Sequence, residues 1–142
     1  DFHASNIMIK NKRFGLIDSQ DALKGNLLYD VASLIDDARI KLSKKLKSSL
    51  FNYYLSKTTK IKKEKEKLLA TNDFDILSVQ RNLKILGIFV RLCKRDNKSG
   101  YLKYLPYIWK LLELRLRNPI FVNLKYLLDK VIPKKNRKKV NF

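Results

Sequence analysis

Three polar side chains in the first part of the sequence have the types and the order that phosphoryl transfer requires. Asp1 and Asn6 are five residues apart, and Asp18 comes after two short β-prone runs. The reaction needs a carboxylate that orients the acceptor hydroxyl and takes its proton, together with oxygen ligands for the Mg²⁺ ion that bridges the phosphates. A carboxylate, an amide and a second carboxylate in this order could supply both.

The segment that follows Asn6 predicts how these groups meet. Residues 7–10 and 13–18 are β-prone, and only Asn11 and Lys12 separate them. A two-residue loop that begins with Asn suits a tight β-hairpin, although the favoured Gly is missing from its second place. Such a hairpin returns the chain to its starting level, so that the amide and the second carboxylate could converge on one ion.

The wider pattern resembles the aminoglycoside phosphotransferase family. Its Asp-to-Asn step of five is that of the protein-kinase catalytic loop, where the Asp is the base and the Asn binds metal. The segments that resemble the family are residues 1–8 (Asp-Phe-His-Ala-Ser-Asn-Ile-Met), 16–22 (Leu-Ile-Asp-Ser-Gln-Asp-Ala), Gly25 and 29–34 (Tyr-Asp-Val-Ala-Ser-Leu). Within the family, residues 17–22 and 86–93 are most similar to the bacterial kinases that phosphorylate N-acetylmuramate and N-acetylglucosamine at the anomeric position during peptidoglycan recycling.

The resemblance implies a role for each matching residue. Asp1 matches the catalytic base, and Asn6 and Asp18 match the Mg²⁺ ligands. His3 and Asp30 match positions that brace the catalytic loop. The implied reaction is transfer of the γ-phosphoryl group of ATP to a hydroxyl of a small molecule, with an amino sugar as the expected acceptor.

Two residues close to the expected metal ligand are less clearly defined. Asp21 lies one turn beyond Asp18, and no role can be assigned to it. Ser19 stands where the family usually has Phe, a side chain that normally packs, so this difference concerns local packing more than the chemistry.

Composition and charge limit the other classes of function. The chain has 142 residues, a net charge of +19 and a hydrophobic fraction of 45%, which suits one globular domain. One cysteine and one histidine exclude an intramolecular disulfide and a Cys-rich or His-rich metal centre. No apolar run approaches the roughly 20 residues of a membrane span and no signal peptide opens the chain, so we expect a cytoplasmic protein without a membrane partner.

Two alternatives to an amino-sugar kinase stay open. One is a kinase of the same superfamily with another acceptor, such as an aminoglycoside, choline or a homoserine-like alcohol. The other is a basic helical module that binds nucleic acid, which the charge would favour. The basic clusters at residues 57–67 and 134–139 are more typical of solvated faces and tails, and the nucleic-acid interpretation gives no reason for the Asp and Asn pattern. The sequence does not indicate an oligomeric state.

The fold class expected is α+β and mainly α: a hairpin followed by about five helices, as in the C-terminal lobe of a protein kinase. The predicted segments are helices at 28–40, 42–57, 74–94 and 101–117, an exposed helix or linker at 58–72, and a last helix between Asn118-Pro119 and Pro133. Asp73 is the expected cap of the third helix. We expect one domain, with catalytic loops at 1–25, a helical subdomain at 26–132 and a solvated basic tail at 133–142.

Side-chain patterns add two expectations about packing. Cys93 is predicted to be a buried small hydrophobe. The aromatic set Tyr101, Tyr104, Tyr107 and Trp109 fits core or groove packing better than sugar stacking. No Gly-rich phosphate loop occurs in the sequence, so we expect it to represent a lobe without the nucleotide-clamping lobe, and to be inactive alone.

Overall fold

A computed structural model describes residues 2–18, 23–58, 61 and 63–137 of the chain. The strands are β1 (Ile7–Lys10) and β2 (Arg13–Leu16), and the helices are α1 (Leu28–Ile35), α2 (Lys44–Lys57), α3 (Glu64–Asp96), α4 (Leu105–Arg115), α5 (Val122–Val131) and α6 (Lys134–Arg137). The predicted α+β class, with a hairpin first and helices after it, is confirmed. None of the helices in the described ranges combines the length and the hydropathy that a membrane span requires.

The predicted hairpin forms with the expected turn. Strands β1 and β2 are antiparallel, and Lys10 is paired with Arg13. Asn11 and Lys12 have φ angles of 51° and 61°, the left-handed values that both central residues of a type I′ turn adopt. Strand β2 ends at Leu16, two residues earlier than predicted.

Residues 1–77 form one compact unit, and its core lies between α1, α2 and α3. The apolar residues of α1 recur at helical spacing, so Leu28, Ala32 and Ile35 face the same side and pack with Phe74 of α3. Phe51 of α2 closes this core, with its ring centroid 4.6 Å from that of Phe74.

Helix α1 ends at Ile35, five residues before the predicted end. Asp36 leaves the helical conformation with ψ at 42°, and its carboxylate pairs with Lys47 of α2 at 2.6 Å. Asp37 accepts a hydrogen bond from the backbone N–H of Arg39 at 2.7 Å, a local bond that competes with helix continuation. Two consecutive aspartates therefore stop the helix.

Helix α3 replaces the linker and the separate helix that the sequence predicts. No proline interrupts residues 64–96, and a Glu64–Lys67 ion pair of 2.7 Å lies in its first turn. The prediction that Asp73 caps a helix is therefore wrong. Asp73 lies inside α3 and accepts a hydrogen bond from the side-chain amide of Asn26, at 3.3 Å, next to the start of α1.

Helix α3 ends abruptly after Asp96. Asn97 has φ at 55°, and Lys98 N–H donates to the carbonyl of Leu92 at 3.0 Å. The exposed guanidinium of Arg95 donates to Asp96, and this hydrogen bond lowers the pKa of the Asp96 carboxyl and raises that of Arg95.

Residues 78–142 form the second compact unit. Its aromatic residues pack, as predicted, because the Phe89 ring lies 5.0 Å from Tyr101 and 5.9 Å from Tyr104, and Trp109 is buried. The predicted helix 101–117 begins instead as a 3₁₀ turn, and α4 starts at Leu105 with a proline in its first turn.

Later parts of this unit confirm one prediction and correct two. Asn118 caps the restart, accepting from Ile120 N–H at 3.2 Å, as predicted. The expected solvated tail is wrong for Arg137, which is 4% exposed and ion-paired with Asp129 at 2.7 Å. Cys93 is half-buried rather than buried.

Candidate active site

The hairpin brings two of the three predicted catalytic groups together. The side-chain amide of Asn6 donates to a carboxylate oxygen of Asp18 at 3.3 Å, although twelve residues separate them. Asn6 is buried, whereas Asp18 is exposed. An amide held by the fold therefore lies beside a carboxylate that solvent and ligands can reach.

Backbone hydrogen bonds set this juxtaposition. Asn6 ends a 3₁₀ turn, Ala4–Asn6, in which its N–H donates to the carbonyl of His3 at 2.9 Å. The carbonyl of Asn6 then accepts from Ile17 N–H at 3.0 Å, beyond the last pair of the hairpin ladder. The residue before Asp18 is thus tied directly to Asn6.

Asp18 has an unusual backbone conformation. Its φ angle is 62°, in the left-handed region that non-glycine residues rarely adopt. Such strain is on the order of 1 kcal/mol and is typical of residues in functional sites. The conformation turns the chain out of β2 at the position where its carboxylate meets Asn6.

His3 lies under the turn that carries Asn6. Its ring is buried, and its Nδ1 lies 3.0 Å from the hydroxyl of Ser5. A buried ring bonded within the turn is consistent with the predicted bracing of the catalytic loop, which stays a prediction.

The two aspartates at the end of α1 are site residues that the sequence did not indicate. Asp37 is buried, and its second carboxylate oxygen accepts from Ala4 N–H at 3.4 Å, at the start of the 3₁₀ turn. Asp30, which the resemblance assigns to bracing, is exposed in the first turn of α1. The assignment of Asp30 stays a prediction, and Asp37 is the aspartate of this helix end that contacts the loop.

Asp36, the neighbour of Asp37 in the chain, forms a buried ion pair with Lys47. The Lys47 ammonium contacts the Asp36 carboxylate at 2.6 Å and the carbonyl of Ile35 at 2.8 Å, and the side chains of Lys47 and Asp36 are 7% and 0% exposed. The predicted helix 28–40 would have placed both aspartates on α1 and hidden this pairing. The only signal in the sequence was a pair of acidic residues in an apolar stretch.

Two of the predicted site residues are not among the residues that the structure describes. Asp1, the expected base, and Asp21, the unassigned carboxylate, lie outside the described residues, as does Ser19. Their roles stay predictions from the sequence.

The donor set at Asn6 and Asp18 fits Mg²⁺. Both side chains offer oxygen atoms, which are the ligands that this cation prefers, and Mg²⁺ usually takes one or two carboxylates with waters and substrate phosphates completing the shell. Within the described ranges no group of three His, Cys, Asp or Glu side chains could hold a metal ion. Two protein ligands suit a cation whose other ligands are waters and nucleotide phosphates.

Comparison with known proteins gives a family match for the first part of the chain. Residues 1–66, which contain the hairpin, α1 and α2, match the phosphotransferase enzyme family. The match covers every predicted site residue of the chain.

Curated relatives extend the similarity to the later helices. An N-acetylmuramate/N-acetylglucosamine kinase of Pseudomonas aeruginosa is 35% identical over 117 residues, which are 80% of this chain and 34% of that protein. Kinases with the same name from Caulobacter vibrioides and Neisseria meningitidis serogroup B are 28% and 35% identical, over 97% and 75% of the chain and 38% and 32% of their own lengths. The chain thus spans about a third of the length of these relatives. By this similarity and by the match over residues 1–66, the chain is similar to the phosphotransferase enzyme family.

Proposed function

We propose that the protein containing this chain is an ATP-dependent phosphotransferase that phosphorylates a hydroxyl group of an amino sugar. The observation that supports the proposal is the contact of Asn6 with Asp18, in which the side-chain amide donates to the carboxylate at 3.3 Å and the two predicted ligands of one cation are neighbours. Phosphoryl transfer needs oxygen ligands for a divalent cation at this place in the chain, and an amide beside a carboxylate can supply them.

Each group has a defined task in this reaction. Asp1 orients the acceptor hydroxyl and takes its proton as the oxygen attacks the γ-phosphorus and ADP leaves. Asn6 and Asp18 would hold Mg²⁺, which would neutralise charge on the phosphates. Because the transition state of phosphoryl transfer is loose, positioning and charge neutralisation provide most of the rate enhancement.

The backbone around the site provides that positioning. The 3₁₀ turn Ala4–Asn6 follows the base closely in the chain, and Asp37 holds the N–H of Ala4. The buried ring of His3 lies 3.0 Å, through its Nδ1, from the hydroxyl of Ser5 in the same turn. We assign Asp37 and His3 to keeping the loop in one conformation while nucleotide and acceptor exchange.

The acceptor is inferred from the relatives. All of those described above are named N-acetylmuramate/N-acetylglucosamine kinases, so we propose these two amino sugars as acceptors and the cytoplasm, where ATP is available, as the site of the reaction. Aminoglycosides, choline and homoserine-like alcohols are the competing acceptors of the superfamily.

A substrate panel on the full natural protein that contains this chain tests the proposal. With ATP and Mg²⁺, phosphate transfer to N-acetylmuramate or N-acetylglucosamine should exceed transfer to the competing alcohols by about 100-fold or more in kcat/KM. The Asp1→Asn variant should lose nearly all turnover while it keeps its far-UV circular dichroism. Turnover close to wild type in that variant would remove Asp1 as the base, and preference for another alcohol would replace the acceptor.

A further inference from the structure

The second unit contains a groove that the proposed reaction does not use. It has a volume of about 730 Å³ and is partly open to solvent, within the range of roughly 300–1,000 Å³ usual for small-molecule sites. Its walls are mostly apolar, formed by Leu83, Leu86, Gly87, Val90, Leu105, Trp109, Leu128 and Ile132, with Asn136 and Arg137 of α6 at one end. Segment 86–93, singled out in the sequence, contributes three of these residues.

Gly87 has no structural reason to be glycine. Its φ is not in the left-handed region, and a Cβ built there would meet nothing within 4 Å. Glycine inside a helix costs roughly 0.5–1 kcal/mol relative to alanine. Because Gly87 has no side chain, it leaves the groove open between Leu86 and Val90.

One end of the groove is rigid. The Arg137 guanidinium lies 4.7 Å from the centre of the Trp109 ring and is ion-paired with Asp129 and Glu113, at 2.7 and 3.3 Å. Its Nε also donates to the carbonyl of Ile132 at 2.8 Å. This buried cation holds α6 beside α4 and α5. This end of the groove is therefore preformed.

The short helix that closes that end is basic. Lys134 and Lys135 precede the lining residues Asn136 and Arg137 in α6, and both are exposed. The carboxylates Asp129 and Glu113 are already paired with Arg137. An apolar groove that ends at a helix with exposed ammonium groups is complementary to a molecule with an apolar chain and an anionic head.

We propose that this groove binds a single-chain anionic amphiphile, with its chain over Gly87 along Leu86 and Val90 and its head group at Lys134 and Lys135. The proposal is independent of the phosphotransfer site, because no residue of the groove belongs to that site. A second copy of the chain is disfavoured as the occupant, since its own lysines would repel those of α6.

The single tryptophan of the chain makes the proposal directly measurable. Decyl phosphate, kept below its micelle concentration, is titrated into the full natural protein while the emission of Trp109 is recorded in a variant whose tryptophans outside this chain, where present, are replaced by Phe. We expect a saturable change, because the chain of the ligand would replace water beside the ring. Thermal stabilisation at saturating ligand is the second readout.

Matched variants locate the binding. Gly87→Leu should fill the groove and weaken decyl phosphate about tenfold or more, whereas Gly100→Leu, at a glycine outside the groove whose added Cβ also has free space, should bind as wild type. Lys134→Gln with Lys135→Gln should weaken decyl phosphate about fivefold and leave decanol unchanged. Absence of a saturable change in the wild type, as when another segment of the protein covers the groove, or equal binding by Gly87→Leu, overturns the proposal.

Discussion

Carboxylates with different burial have different tasks in the candidate site. Asp18 is exposed and adjoins Asn6, which suits the proposed binding of a cation with its nucleotide. Asp36 and Asp37 are buried, where a carboxylate is costly unless a charge or hydrogen bonds compensate it. Asp37 is bonded to the loop at Ala4, and Asp36 is paired with Lys47 at the end of α1. We assign both to structural roles and not to ligand binding.

The position of the catalytic loop should depend on Asp37. In Asp37→Asn one acceptor oxygen becomes an NH₂ group facing a backbone N–H, so the bond to Ala4 or to Arg39 is lost. We expect kcat to fall about 10- to 100-fold, because small displacements of a catalytic group are costly, with little change in the KM for ATP. Steady-state kinetics of the full natural protein measure this.

Asp30→Asn is the matched comparison, since Asp30 lies in the exposed first turn of the same helix. If its kcat falls and that of Asp37→Asn does not, the bracing assigned by resemblance is right and the role of Asp37 is wrong.

Removing one partner of the buried Asp36–Lys47 pair should strongly destabilise the first unit. Lys47→Met leaves a fully buried carboxylate without its cation, which costs about 3–5 kcal/mol. Lys45→Met, at an exposed lysine of the same helix, should change the unfolding free energy by less than about 0.5 kcal/mol. Urea unfolding of both variants measures the difference, and equal values would show that the pair adds nothing.

Residue order predicted the meeting of Asn6 and Asp18, but not the part played by Asp36, Asp37 and Lys47. The first prediction needed only a tight turn of known length. The second depends on the residue at which α1 ends, and side-chain pairing with another helix decides that.

At the scale of elements, the hairpin shows how far local chemistry is predictive. Asn11 indicated a tight turn, and both turn residues have the left-handed φ that type I′ needs. Helix α3 was less predictable, because a Lys/Glu-rich stretch suits both a solvated linker and a solvated helix end. Its continuity is decided by packing, with Ala70 and Phe74 buried on α1.

Lys12 offers a stability test of the hairpin. Lysine at φ 61° is strained by about 1 kcal/mol, so Lys12→Gly should raise the unfolding free energy by about 0.5 kcal/mol after the larger unfolded-state entropy of glycine is subtracted. Lys10→Gly, in the exposed strand beside it, should lower the unfolding free energy instead. Thermal unfolding of both variants gives the sign, and a loss of stability in Lys12→Gly would contradict the turn assignment.

For the whole molecule, charge and exposed apolar surface matter most. The net charge of +19 comes largely from exposed lysines. Met8, Ile9, Phe14, Leu16 and Ile17 leave the hairpin with an exposed apolar surface, and a two-stranded hairpin is marginal unless something packs on it. The division between the two compact units falls inside α3, where no change of composition marks it in the sequence.

The charge leads to a prediction that separates a kinase from a nucleic-acid-binding module. The affinity for non-specific duplex DNA should fall about 10³-fold or more between 50 and 200 mM salt, because binding releases counterions. Kinase turnover should persist over the same range, because it depends on one nucleotide with its cation and not on contacts to many phosphates. Filter binding and a coupled assay measure the two, and salt-resistant binding to one sequence would favour the nucleic-acid module.

The most direct measurement of the central claim is Mn²⁺ binding, followed by electron paramagnetic resonance, in the full natural protein with ATP present. Mn²⁺ accepts the same oxygen ligands as Mg²⁺. The account predicts that Asn6→Ala and Asp18→Asn each weaken the protein-bound Mn²⁺–ATP complex about tenfold or more, while Asp73→Asn leaves it unchanged. Wild-type binding in both Asn6→Ala and Asp18→Asn would contradict the account.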